Sequence, residues 1–570
     1  MEWTRATLPV WARRGHCFLT RWDGGPLEVE KGRVSGWPGY DRDGTPHLVA
    51  LRDWYRPLTL DLALRAGYDV LWVTWSVGFS LEHERPHQRI VEAFIRACHA
   101  RGVRAIAYLS LANMMREEFF AAVPDAVEWA ARDGRGELVP YGAARYAGSA
   151  TRVMARVDHP GWQERYLLPQ VEAAVRAGAD GVVFDNTFAD AGQDAVGTLL
   201  ERVWTRMRAV RPEAGLVLSN YNRPIWHWGR LQNALSTEDA AEPGTLAGLR
   251  LPSPESAELP AAETNPNDAP PRRPPRGVST NIGLLQVARA VAQWRPSFVE
   301  YGGRLAGGRF TRQMAPDRAR LAAAECAAFG SALELYVEPQ CAALSRYDRE
   351  SVDVLDAVGA VHRFLREHSA WYEDGWESLA RVAVLECGDY ANASVTDALA
   401  RAGVLTTVLL EQDQPDLRPY EAVVLIEGGP CPQMLREVEA HAARGCHVLQ
   451  LVGPGHSPVR DALPFGRAAA AELADACRRK VLREQEVTLS APDGVVMAAY
   501  ARGGERTVHV INYAGTPARV RVASRIPVRA AVLHWPEGPE GGMPLRWERG
   551  SGASFTLEGP YAVVECTGDE

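Results

Sequence analysis

Short apolar runs alternate with amphipathic stretches eight times between residues 70 and 366, and few folds accept that pattern. The runs are Val70–Trp75, Arg104–Ser110, Val153–Asp158, Val182–Asp185, Gly215–Asn222, Asn233–Asp239, Ser297–Gly302 and Ala332–Val337. Their length and their β-branched and aromatic content are those of buried parallel strands. Between them Glu84–Arg101, Met115–Arg132, Pro160 to about Arg176, Leu199–Val210, Ile282–Gln293, Asp317–Phe329 and Ser351–Arg366 read as helices. Pro160 suits the first position of its helix. Strand and helix repeating in eight units predict a (β/α)8 barrel, a TIM barrel in the α/β class. A doubly wound open sheet is the alternative, and the count of eight favours the barrel.

A chain of 570 residues is too long for one core and predicts about three domains. Residues 1–375 are expected to form the barrel, with an irregular lead-in to about Thr59 and an insert at 243–278. That insert is dense in Pro, Asn, Ser and Arg, a composition that regular structure does not accept. Its place directly after a strand end predicts a lid over the barrel mouth. Residues 376–485 carry further apolar runs and helices and predict a small flavodoxin-like α/β sheet. Residues 486–570 turn to short strands alone and predict a β-sandwich.

Charge and cysteine content exclude several functions. The net charge is −8, which gives no general affinity for nucleic acid. No apolar run is long enough to span a bilayer, and residues 1–15 show no apolar signal core. Nine scattered cysteines without a Cys-x-x-Cys pair argue against a disulfide framework or a zinc site. The expectation is a cytoplasmic protein with no cofactor, no metal, no membrane and no nucleic-acid partner. Cys431 follows Pro430 at a strand end, lacks a visible activating partner, and reads as structural.

Chemistry in such a barrel belongs to the C-terminal strand ends. Gly178–Ala179–Asp180–Gly181–Val182–Val183–Phe184–Asp185–Asn186–Thr187–Phe188 sets a carboxylate, an amide and a hydroxyl together after an apolar strand. A lone Asp in that position also serves as a helix cap. Glu238 and Asp239 end the sixth run, where neighbouring residues face opposite ways, so one of the two is expected to face the lumen. Glu300 ends the seventh run. Trp75, Tyr108, Asn186, Asn220, Tyr221, Asn222 and Tyr301 also stand at strand ends, and Trp226 and Trp228 follow in a loop over the same mouth. Flat aromatic faces and amides of this kind suit sugars, which have apolar faces and polar edges. Asp158 and His159 end the third run, and His159 either binds or caps the helix at Pro160.

The order of barrel, small α/β unit and β-sandwich resembles that of several bacterial glycoside hydrolases. Val157–Asp158–His159–Pro160–Gly161–Trp162–Gln163, followed by Gly178 to Asn186, resembles barrels whose nucleophilic Asp ends strand four. These are the α-galactosidase, α-fucosidase and endo-α-galactosaminidase groups and a hypothetical glycosyl hydrolase family. Tyr420 to Leu451 resembles the trimerisation domain that follows the barrel in some β-galactosidases. The resemblance implies a retaining glycosidase acting on an oligo- or polysaccharide or a glycoside, with Asp185 as nucleophile and Glu238 as acid/base. It also implies a homo-oligomer, dimer or trimer. Asp239 is the alternative to Glu238. Another clan of barrels keeps its nucleophile at strand seven, where Glu300 stands, but carries Asn–Glu after strand four; this chain has Asp185–Asn186.

The expected geometry is two facing carboxyls, about 5–5.5 Å apart for retention or about 6.5–9.5 Å for inversion. Trp75, Tyr108, Asn222 and one of Trp226 and Trp228 are expected to line the pocket. Two other classes stay open. A non-catalytic carbohydrate-binding barrel would lack the partner carboxylate. A metal-dependent hydrolase or lyase would gather Asp158, His159, Asp185 and Glu238 around a cation.

Overall fold

The computed structural model describes residues 3–12, 18–22, 55–140, 152–185, 193–221, 229–240, 243, 280–293, 295–301, 304–305, 309–310, 314–336, 349–373, 375–386, 393–425, 432–452, 463–464, 476–479, 481 and 485–568. Eight parallel strands close into a barrel: β1 Leu19–Trp22, β2 Val70–Ser76, β3 Arg104–Ser110, β4 Gly181–Asp185, β5 Leu216–Tyr221, β6 Ala234–Ala240, β7 Ser297–Tyr301 and β8 Ala332–Tyr336. Each strand pairs with its neighbours in sequence, and β1 pairs with both β2 and β8.

Two sequence expectations change here, and their effects cancel in the strand count. The lead-in before Thr59 holds a barrel strand, β1. The run Val153–Asp158 is not one. Residues Arg152–Met154 instead pair antiparallel with Asn113–Met115 in a separate ribbon. Burial separates the two kinds of strand. Val153, Ala155 and Val157 are buried while Arg156 and Asp158 are exposed, the alternation of a half-exposed ribbon. Strand β2 is buried at all seven residues, as a strand covered on both faces must be. The helix expected over Met115–Arg132 stops at Ala122, because Pro124 has no N–H and disfavours a helical residue before it.

Alternation along the strands divides the core. Val70, Trp72, Ile106, Val183, Leu216, Leu218, Ala234 and Phe298 fill the lumen together with Leu8 and Ala12. The interleaved Leu71, Val73, Ala105, Ala107, Val182, Val217, Leu235 and Val299 face the helices. Leu8 and Ala12 come from two short 3₁₀ turns that plug the N-terminal end of the barrel. The carbonyl of Thr7 accepts from Trp204 Nε1, and Trp3 Nε1 donates to Leu231 O at 2.8 Å. The helices supply one apolar side each; in Leu81–Ala100 it is Val91, Phe94, Ile95 and Cys98, at helical spacing.

Beyond the barrel, Thr406–Leu410, Val382–Glu386, Ala422–Leu425, His447–Val452 and Leu463–Pro464 form a parallel five-stranded sheet in that order. A six-stranded and a three-stranded antiparallel sheet follow and share one apolar cluster. Glu377–Ser378 belongs to the six-stranded sheet, where it pairs with Val495–Arg502, although it precedes the parallel sheet in sequence.

Closure by β1 makes a direct prediction. Without residues 1–22, β2 and β8 each expose an unpaired edge, and such edges template aggregation. The truncated protein is expected to lose its cooperative thermal transition in circular dichroism. A sharp transition retained near the full-length midpoint would show that β1 is dispensable.

Candidate functional site

Of the residues singled out in the sequence, Tyr108, Asp185, Glu238, Asp239 and Glu300 lie at or near the C-terminal ends of barrel strands. Asp185 is the last residue of β4 and pairs in register with Ser110, the last of β3. It stands two residues beyond Val183, a lumen position. Glu238 stands two residues beyond Ser236 on β6, and the register with β7 shifts between Thr237 and Ala240. Such a shift interrupts strict alternation at Glu238 and Asp239, so alternation alone does not choose between them. The carboxyl groups of Asp185, Glu238 and Asp239 lie outside the described residues, as do Asn186, Asn222, Trp226, Trp228 and residues 244–279 of the insert and beyond. The spacing expected between Asp185 and Glu238 therefore lies outside them too.

Below these positions the lumen carries an acidic pair. Glu300 on β7 and Glu334 on β8 are register partners, and both are buried. Ser236 Oγ on β6 donates to Glu334 Oε2 at 2.7 Å. A buried carboxyl needs such partners, because leaving water without them is costly. Glu334 escaped the sequence reading, although a signal was present. It is a charged residue between Leu333 and Leu335, and a charge inside an otherwise apolar barrel strand occupies a lumen position. On the other side of the lumen, Tyr108 stacks on Trp72 with ring centroids 5.5 Å apart and planes 16° apart.

Three expected binding residues are placed elsewhere. Trp75 is 2% exposed, packs on the helix side, and donates its indole N–H to Gln170 Oε1 at 3.1 Å. Trp75 is three residues from Trp72, so strand alternation puts it on the helix side with Leu71 and Val73 and away from the lumen row of Val70 and Trp72. Asp158 is exposed and pairs with Arg156 at 3.1 Å, off the barrel strands. His159 Nδ1 accepts the N–H of Gly161 at 3.1 Å and so caps the helix at Pro160. Neither Asp158 nor His159 lies on a barrel strand. Among the described residues no three His, Cys, Asp or Glu side chains gather as a metal site.

One wall of the mouth is built by a buried carboxylate that the sequence reading passed over. After β2 the chain turns through Val77, Gly78 and Phe79, and all three N–H groups donate to Glu84 Oε1 at 2.9–3.0 Å. Gln170 Nε2 donates to Glu84 Oε2 at 3.0 Å. Burial still lifts the Glu84 carboxyl to about 8, against the pull of these donors. The turn is locked to the next loop by Met115 N–H on Gly78 O at 2.8 Å and Asn113 Nδ2 on Val77 O at 2.8 Å. Val77, Phe79 and Met115 then form a small apolar cluster against Tyr108. Gly78 has φ +100°, and a Cβ there would lie 2.3 Å from the carbonyl oxygen of Asn113.

No family model matches the sequence, and no curated protein is similar to it. Solved structures are similar in fold. Alpha-L-fucosidase isoenzyme 2 from Paenibacillus thiaminolyticus superposes with a TM-score of 0.65 at 12% identity, covering 90% of this chain and 96% of that one. Beta-galactosidase from Bacillus circulans sp. alkalophilus gives 0.59 at 11% identity, covering 98% of this chain and all (100%) of that one. A catalytic mutant of the beta-galactosidase Gan42B from G. stearothermophilus gives 0.56 at 9% identity, covering 99% and 100%. At these identities the likeness is one of fold, and the fold is one that glycoside hydrolases use.

The Glu84 turn makes the mouth wall testable. Glu84→Gln replaces an acceptor with an amide that cannot serve all these donors, and should lower stability by about 1.5–3 kcal/mol. Gly78→Ala should cost about 1–3 kcal/mol through steric overlap and strained backbone. Urea unfolding of both variants measures these values. A change within error for both would mean that the turn is not held as described.

Proposed function

We propose that the chain is a glycoside hydrolase whose reaction takes place at the C-terminal end of the barrel. The observation that carries the reading is the position of Asp185 and Glu238 near the ends of β4 and β6, above a lumen that already holds Glu300 and Glu334. In this proposal Asp185 attacks the anomeric carbon and Glu238 protonates the departing glycosidic oxygen. Glu238 then takes a proton from water, which attacks the glycosyl–Asp185 ester and releases the sugar with its configuration retained. Retention calls for a carboxyl spacing of about 5–5.5 Å. Tyr108 supplies a ring at the lumen, and Asn186, Asn222, Trp226, Trp228 and Asp239 are the remaining substrate-binding candidates. Glu300 is the second candidate for a catalytic carboxyl, favoured by its buried register with Glu334.

The proposed organisation is a barrel over 1–375, an α/β unit over 376–485 and a β-sandwich over 486–570, with the α/β unit as the surface for homo-oligomer formation. Among the described residues no helix is long and apolar enough to cross a membrane. The substrate class is a saccharide or glycoside. The names of the similar structures make α-fucosides and β-galactosides the first compounds to try, with α-galactosides beside them.

A screen of chromogenic glycosides tests the reading. The wild-type protein is expected to release the chromophore from at least one of them, and Asp185→Asn to reduce release to background while keeping the wild-type melting curve. Glu238→Gln should lower kcat/KM by about 10²–10⁴-fold for glycosides with poor leaving groups and spare it for activated ones, whose departure needs little protonation. The kcat for activated ones should still fall, because the glycosyl ester has lost its base. An Asp185→Asn protein with wild-type turnover would remove Asp185 as nucleophile. Binding of sugars without turnover by the wild type would leave the non-catalytic barrel as the answer.

A further inference from the structure

The helix Pro316–Ala328 carries a carboxylate that no part of the proposed reaction uses. Glu325 is fully buried. Tyr301 Oη donates to its Oε1 at 2.6 Å, and Tyr513 Oη donates to its Oε2 at 2.6 Å. Asn281 Nδ2 donates to Oε1 at 2.5 Å, and the Asn281 N–H approaches Oε2 at 3.4 Å. The donors come from distant parts of the chain. Tyr301 ends β7 directly beside Glu300, and the two neighbours face opposite sides of the strand. Asn281 begins the helix Ile282–Ala292, where the chain returns from the insert. Tyr513 follows Glu505–Asn512, a strand of the C-terminal six-stranded sheet.

We propose that Tyr513 and Glu325 are positioning residues through which the C-terminal sheet holds the end of β7, and with it Glu300, and the chain's return from the insert. Docking alone does not explain the cluster. The same sheet already touches the same helix through Tyr500 Oη, which donates to Ala328 O at 2.7 Å, and through Arg320 on Glu537 at 3.5 Å. The bonds at Glu325 add something those contacts lack, a path from the sheet into the barrel wall. The return from the insert is fastened a second time one residue earlier, where Thr280 Oγ1 bonds Asp397 and Arg401 Nε bonds the same carboxylate at 2.9 Å.

The groups facing the cluster give it a signature in pH. They are the phenols of Tyr301 and Tyr513, the Cys326 thiol on the same helix, and the Asp397–Arg401 pair acting on Tyr513. No Lys or Arg bonds Glu325 directly among the described residues, and burial lifts its carboxyl from 4.5 to about 7. In that window the folded chain keeps a proton that the unfolded chain has released. Stability from Glu325 is therefore full below about 4.5 and is lost as pH rises through about 7. Gln at 325 keeps the shape and a neutral acceptor but cannot titrate.

The test uses hydrogen exchange by mass spectrometry on the full chain, read on peptides covering 280–301. Tyr513→Phe should speed exchange there by about fivefold, the counterpart of one lost hydrogen bond to a neutral carboxyl. Tyr500→Phe, which removes only docking, should leave those peptides unchanged. Glu325→Gln should flatten the fall in melting temperature between about pH 4.5 and 7, the range of the Glu325 titration. Equal acceleration in both tyrosine variants, no acceleration in Tyr513→Phe, or an unchanged pH slope in Glu325→Gln would each overturn the assignment. Glu325→Gln keeps the test open should Tyr513→Phe fail to fold. Only the link to Glu300 as a site residue rests on the glycosidase reading. A wild type that hydrolyses no glycoside would sink that reading and leave the exchange result standing.

Discussion

The hydrogen bonds on the two edges of β1 hold this structure together. A parallel sheet that curls through seven strands still has two edges, and buried edges with unpaired N–H and C=O groups are costly. Four residues, Leu19–Trp22, pair with β2 on one side and β8 on the other. Once the ring is closed, its inner row is fixed, and so is the set of residues that can face a substrate. The lumen cluster, the acidic pair and the positions of Asp185 and Glu238 all inherit their place from that closure. The plug of Leu8 and Ala12 fills one end, so the lumen can open only at the other.

The barrel was legible in the sequence because buried parallel strands leave a strong apolar trace and eight units leave few alternatives. The count of eight was right, although one strand was wrong in each direction. Strand β1 is short and carries Thr20 and Arg21, and its partners on one side lie some three hundred residues away, so no local pattern announces it. Val153–Asp158 had the composition of a strand and was one in part, but its alternating exposure belongs to an antiparallel ribbon. Pairing partners are a tertiary fact, and composition does not carry them.

The site was legible by strand end and obscure by side. Trp72 and Trp75 both sit in β2 at an odd spacing, so alternation puts Trp75 behind the wall while Trp72 stacks on Tyr108 inside. Glu334 was visible as a charge between two leucines, whereas Glu84 looked like an ordinary polar residue near a helix start. Its work is done by three backbone N–H groups of a turn, and a sequence does not reveal where backbone donors converge. Glu325 is similar: its donors stand as far away as Tyr513, 188 residues along the chain. Buried carboxyls of this kind mark places where separate parts of a fold are made to agree.

The pairing of Glu377–Ser378 with Val495–Arg502 has an architectural meaning. The chain begins the six-stranded sheet at Glu377–Ser378, leaves to build the parallel five-stranded sheet, adds Val487–Ser490 to the three-stranded sheet, and only then returns beside the strand it left. The parallel sheet is thus inserted into the β-rich part rather than strung before it, with its entry on the six-stranded sheet and its exit on the three-stranded one. The element is nonetheless fastened to the barrel, through Thr280 on Asp397, Gln286 on Thr406 and Arg230 on Asp413, so it is inserted into the β-rich part and docked on the barrel.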